Sequence, residues 1–125
     1  MKTIVSAPHA PAALGPYSHA ISANGFVFTS GQIGLDPITG KLAATVEEQT
    51  KQVFCNLKEV LSVAGCKFSD VVKTTVFLQD LADFATVNAI YGEQFGGEFP
   101  ARSCVQVAKL PAGALVEIEA VAVKP

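Results

Sequence analysis

An α+β fold, with one mixed sheet and two helices packed on a single face of it, is what this sequence predicts. Three observations carry the expectation. "FVFTS", "DVVKTTVFLQD" and "ALVEIEAVAV" are dense in β-branched and aromatic residues or alternate apolar with polar, as strands do. Two other segments repeat apolar residues at helical spacing. Strung together, the elements run β-β-α-β-α-β-β, and the sheet face that the helices leave bare must meet water or another chain.

Taken in order, "SHAISA" and "FVFTS" flank Asn24-Gly25, a pair that tolerates the positive φ of a tight hairpin turn. "GQIGLDPITGK" follows, with Gly31, Gly34, Pro37 and Gly40 marking irregular backbone. The first helix has capping-box spacing at Thr45 and Glu48, and Val46, Val53, Phe54, Leu57, Val60, Leu61 and Ala64 fall on one face. Gly65 supplies its stop. After the strand in "DVVKTTVFLQD", a second helix is expected from Asp80 or soon after. Phe84, Val87, Tyr91 and Phe95 form its inward stripe, and Gly96-Gly97 end it. "ARSCVQV" and "ALVEIEAVAV" close the chain as strands, joined by "KLPAG". One more short strand is expected, at Ile4-Val5 or at Lys41-Leu42.

Residues 1–125 fit one domain. Hydrophobic residues make up 50% and charged residues 16%, an apolar balance that predicts burial of surface against other subunits. The net charge of −2 and a single arginine leave no basic track for a nucleic-acid backbone. Cys55, Cys66 and Cys104 form no CxxC pair and no cluster with histidine, so no metal site is expected and reduced, cytosolic thiols are the plain reading. Cys55 and Cys66 read as packing thiols. The opening "MKTIVSAPHAPAALGPYS" is broken by three prolines and fits neither a signal peptide nor a membrane span, so a cytoplasmic protein is expected.

Polar candidates gather near the end of the chain. Arg102 lies in a strand whose alternation puts Cys104 and Gln106 on its own side. In the last strand Glu117 and Glu119 share one face. Should the last two strands form an antiparallel hairpin, one of these glutamates would lie near Arg102, which would keep it ionised. The residues alone leave two readings open: an ion pair pinning the sheet, or a guanidinium fork that grips a ligand carboxylate. Cys104 is read as packing, with a backbone amide free to face a ligand, although a thiol beside a guanidinium also has the makings of a nucleophile. "TSGQIG" sets Ser30 and Gly31 where a strand gives way to a loop, and glycine there lets the backbone approach a ligand. Tyr17 is read as a lid or a staple, His19 as a satisfied structural histidine, and His9 as exposed.

The segments "LGPYSHAI", "GFVFTSGQIGLDPITGKL", "VVKTTVFLQDLADFATVNAIYGEQF" and "FPARSCVQVAKLPAGALVEIEAVAV" resemble, in order and over nearly the whole chain, the RidA (YjgF/YER057c/UK114) family. The resemblance implies a chorismate-mutase-like fold, a homotrimer with sites between subunits, and hydrolysis of 2-aminoacrylate and 2-iminobutanoate to 2-oxo acids and ammonia without a cofactor. It implies that Arg102 binds the substrate carboxylate and that Glu117 positions or activates water. Tyr17, Ser30, Gly31, Asn88 and the Cys104 backbone would complete the pocket. His19 stands where the family often has glutamine, and Gln106 where it often has glutamate. Rival expectations are a non-catalytic carboxylate-metabolite-binding or chaperone-like module, and an endoribonuclease or translation inhibitor.

Overall fold

The computed structural model describes residues 1–125. Asn24 and Gly25 take φ of 51° and 79°, so the chain reverses between β2 (Ala20–Ala23) and β3 (Phe26–Thr29) as the pair predicted. Ahead of them β1 (Thr3–Val5) pairs with β2, which settles the choice of extra strand; Leu42 makes only an isolated bridge to Leu35. β4 (Gln32–Ile33) is a short strand inside the stretch expected to be irregular.

Helix α1 (Val46–Val63) begins where Thr45 Oγ1 accepts from the Glu48 amide at 3.1 Å. That is one half of the expected box; no return bond from the Glu48 side chain forms. Gly65, at φ 83°, ends the helical run. After β5 (Val71–Leu78), Asp80 caps a short 3-10 turn over Leu81–Asp83 and α2 (Phe84–Glu93) follows. Phe95 therefore lies beyond the helix, and Phe84 is exposed instead of joining the inward stripe.

The strands β6 (Ala101–Gln106) and β7 (Val116–Val123) finish the chain. Sheet order is β1-β2-β3-β7-β5-β6, with β4 also on β7. The hairpin considered for the last two strands does not exist. β5 lies between them, parallel to β6 and antiparallel to β7. The physical reason is the connection: β5–α2–β6 is a helical crossover, the link that parallel neighbours require.

Val116, Ile118, Ala120 and Ala122 of β7 face the helices and join a core of 23 residues with Val53, Phe54, Leu57, Val60 and Leu61 of α1. The other face of the sheet carries no helix. Register places Ile4, Phe26, Phe28, Val105 and Val123 on it, all exposed. An apolar sheet face of this kind is a surface suited to a second chain. Cys66 is buried, but Cys55 points to solvent on α1 and packs nothing, contrary to expectation. Neither helix is long and apolar enough to cross a membrane.

Candidate active site

The parallel register pairs Arg102 with Thr74 and Cys104 with Val76, both of which are buried beneath the helices. Arg102 and Cys104 therefore project from the helix face, at the outer strand of the sheet. Asn88 and Tyr91, three residues apart on α2, meet them there. The Arg102 Nη1 donates to Asn88 Oδ1 at 2.7 Å. The guanidinium carbon lies 4.7 Å from the centre of the Tyr91 ring and 5.4 Å from that of Phe84, within cation–π range. A 2.7 Å bond between the Tyr91 hydroxyl and Thr74 Oγ1 fixes the ring that supports the cation, and burial pushes that phenol up from its ordinary pKa.

No carboxylate pairs with Arg102; the one ion pair of the chain joins Lys51 to Glu47 on the surface of α1. Beside it, burial pushes the Cys104 thiol up, against the weaker pull of the Arg102 charge. Cys104 packs against the core, and burial there disfavours the thiolate that a nucleophile would need.

The other candidates meet on the opposite side. Glu117 alternates with Val116 and Ile118 and so leaves the bare face of the sheet, into a cleft of about 780 Å³ lined also by Tyr17, Ser30, Gly31, Glu119 and Ala112. Ser30 is fixed at both ends: its amide donates to the His19 carbonyl at 2.9 Å and its hydroxyl to the Ser18 carbonyl at 2.6 Å. Gly31 lies so close to Glu117 that a Cβ there would land on the carboxylate. Any side chain at this position would have to displace the Glu117 carboxylate from where it lies. Tyr17 is half exposed at the rim, its hydroxyl accepting from the Leu14 amide at 3.4 Å.

An antiparallel hairpin of the last two strands would let Arg102 hold one of the two glutamates, Glu119 or Glu117, ionised; that pairing does not form, and Arg102 does not reach Glu117. In the protomer burial first, and then repulsion from Glu119, push the Glu117 carboxyl above its ordinary value. The cause is placement, because Arg102 lies on the other face of the sheet.

One chain thus holds two separate polar clusters, Arg102–Asn88–Cys104 and Tyr17–Ser30–Gly31–Glu117, on opposite faces of the sheet. Tyr91, buried in the core as the stripe predicts, also backs Arg102, and the exposed Phe84 shares that role. Their helical spacing from Asn88 was the available signal. Glu119 and Ala112, which line the cleft, were not singled out as site residues. The two departures also have places. Gln106 Oε1 accepts from the Leu81 amide at 2.9 Å, tying the end of β6 to the 3-10 turn. His19 is buried with both ring nitrogens bonded.

A mixed α+β domain with two helices on one sheet face and a polar cluster on each face defines the class. A family model described as Endoribonuclease L-PSP matches residues 7–124, and the chain belongs to that family, in agreement with the RidA resemblance. A RutC family protein of Synechocystis is 58% identical over 98% of this chain and 96% of its own. The mouse protein named 2-iminobutanoate/2-iminopropanoate deaminase is 51% identical over 99% of this chain and 93% of its own. The crystal structure of Escherichia coli TdcF with bound serine superposes with a TM-score of 0.94 at 42% identity, covering 98% of this chain and 99% of that one.

Proposed function

We propose that this chain is an enamine/imine deaminase, hydrolysing 2-aminoacrylate, 2-iminobutanoate and related imines to 2-oxo acids and ammonia, and that it works as a homotrimer with sites between subunits. The observation that carries the reading is Arg102, a guanidinium held by an amide and two rings with no carboxylate of its own. Such a fork fits a carboxylate in two parallel hydrogen bonds. Serine, bound in the Escherichia coli relative, and 2-iminobutanoate, in the mouse relative's name, each carry a carboxylate next to the nitrogen-bearing carbon.

Half-sites on opposite faces of a sheet call for two chains. The Glu117 cleft of one protomer would meet Arg102, Asn88 and the Cys104 backbone of its neighbour, with the bare apolar face as the seat between them. Arg102 would fix the substrate carboxylate and turn attack by water into a near-intramolecular step. An imine carbon is already electrophilic, so the scheme uses no metal or organic cofactor. Glu117 takes a proton from water as its oxygen bonds to the imine carbon, giving a carbinolamine. That proton passes to nitrogen; the hydroxyl then gives its own proton, by way of Glu117, to the same nitrogen as the carbonyl forms and the C–N bond breaks, and one ammonia leaves for each water consumed. The burial that raises Glu117 brings its basicity toward neutrality, where a general base works best. Tyr17, Ser30 and Gly31 close the pocket around the adduct.

A ribonuclease reading fares worse, because Glu117 and Glu119 in the cleft would repel a phosphate backbone. Three free thiols suit a reducing compartment such as the cytosol. The test is imine hydrolysis, with an amino-acid oxidase generating the imine and semicarbazide trapping what escapes. Loss of semicarbazone with wild type and not with Arg102→Ala supports the proposal. Equal semicarbazone with enzyme and blank, across small and large imines, overturns it in favour of a binding module.

A further inference from the structure

The segment from Ser6 to Tyr17 contains three prolines and no regular secondary structure, yet Pro11, Ala12, Leu14 and Tyr17 from it form one wall of the Glu117 cleft. Its hydrogen bonds are few. Ala10 bonds to Ala7, Tyr17 to Gly15, and Leu14 to the Tyr17 hydroxyl, all internal to the segment. The bonds that join it to the rest of the chain run through one side chain. The Ala7 amide donates to His19 Nδ1 at 2.9 Å, and His19 Nε2 lies 2.8 Å from the Pro11 carbonyl.

These partners fix the tautomer. An amide can only donate and a carbonyl can only accept, so Nδ1 is bare and Nε2 carries the hydrogen. The same residue's backbone carbonyl takes the Ser30 amide at 2.9 Å. His19 therefore holds the cleft's outer wall with its ring and the Ser30–Gly31 turn with its backbone.

We propose that His19 is a positioning residue that clasps the 7–17 segment at two points and thereby sets the width of the substrate cleft. The inference rests on the proposed function only in taking this cleft as the substrate's. Glutamine is not an equivalent here. A glutamine Nε2 sits at the distance of the histidine Nε2 and reaches the Pro11 carbonyl, but it has no acceptor at the Nδ1 position. Asparagine has its Oδ1 at the Nδ1 position and reaches only the Ala7 amide. The two amides thus separate the two anchor points, and leucine removes both.

The experiment measures amide hydrogen exchange at Ala7 together with kcat and KM for imine hydrolysis, in wild type, His19→Asn, His19→Gln and His19→Leu. Loss of one neutral hydrogen bond corresponds to roughly tenfold, so Ala7 exchange should speed about tenfold in His19→Gln and His19→Leu and stay at the wild-type rate in His19→Asn. KM should rise about tenfold in His19→Leu and less in either amide variant, with kcat within about twofold throughout. Equal Ala7 exchange in His19→Asn and His19→Gln, or an unchanged KM in His19→Leu, overturns the clasp. The Asn–Gln comparison decides the matter should His19→Leu not fold. A wild type inactive on imines would refute the deaminase reading, while the exchange rates would still decide whether His19 holds the segment.

Discussion

Arg102 and Glu117 leave opposite faces of one sheet: Arg102 sits in register with Thr74 and Ala120 on the helix side, and Glu117 points into the cleft on the bare side. A site that uses both takes them from different chains. Arg102→Ala and Glu117→Ala should each be inactive alone, and oligomers reassembled from an equal mixture should regain about a quarter of the wild-type sites. Activity measured before and after mixing the unfolded variants and refolding them together checks this. No recovery on mixing would place both residues in one chain's site.

Asn88 holds the Arg102 fork with a hydrogen bond to a charged group. Such bonds contribute about 1.5–3 kcal/mol, so Asn88→Ala should raise KM for a carboxylate-bearing imine roughly 10- to 100-fold. Stability should change little, since Asn88 is only partly buried on a helix surface. Steady-state kinetics beside a thermal melt distinguish this outcome from simple unfolding.

The pH dependence follows from Glu117. In the proposed mechanism water activation needs the carboxylate, and in the single protomer burial plus Glu119 hold its carboxyl above the ordinary value of 4.5. Activity should therefore fall on acidification as Glu117 takes up a proton, and Glu119→Gln should move that limb to lower pH by removing the repulsion. The stability sign is opposite to that of an ion-paired acid. Protonated Glu117 favours the fold below its unfolded pKa, and that contribution is lost as pH rises through the raised value. Glu117→Gln should accordingly raise the melting temperature at pH 7 and leave it unchanged at low pH.

Asn56 supports the cleft from behind. It is buried on α1, donates to the Ile33 and Leu35 carbonyls at 3.1 and 3.0 Å, and accepts from Gln52 Nε2 at 2.9 Å. Asn56→Leu takes a donor from two part-buried carbonyls, of which that of Ile33 keeps the Leu35 amide, at a cost of about 1–3 kcal/mol. Chemical denaturation should show that loss, and Gly31, two residues before Ile33, should lose its close approach to Glu117 with it.

Much of this was legible in the sequence because it is local. The Asn24-Gly25 reversal, the Thr45 cap and the Gly65 stop each depend on a few neighbouring residues. The alternation of Val116, Ile118 and Ala120 with Glu117 and Glu119 was equally plain. Pairing between distant strands was not, since alternation is silent on which strand lies next to which. Even so, the crossover through α2 held a clue to the parallel β5–β6 pair. Without that pairing, alternation alone leaves open which glutamate, if either, meets Arg102, and with it the direction in which the carboxyl shifts. The ring supports were hidden for a related reason, as a stripe of Phe84, Val87 and Tyr91 looks alike whether it covers a core or a cation.

The cradle of Arg102 sets the terms of competition for it. Two ring faces and a neutral amide stabilise the guanidinium without neutralising it, so an incoming carboxylate has no internal anion to displace. The same openness exposes the site to every small anion in solution. Chloride or phosphate, present in excess over substrate, would occupy the fork and act as rivals, with the planar, two-oxygen acid favoured by its match to two parallel donors.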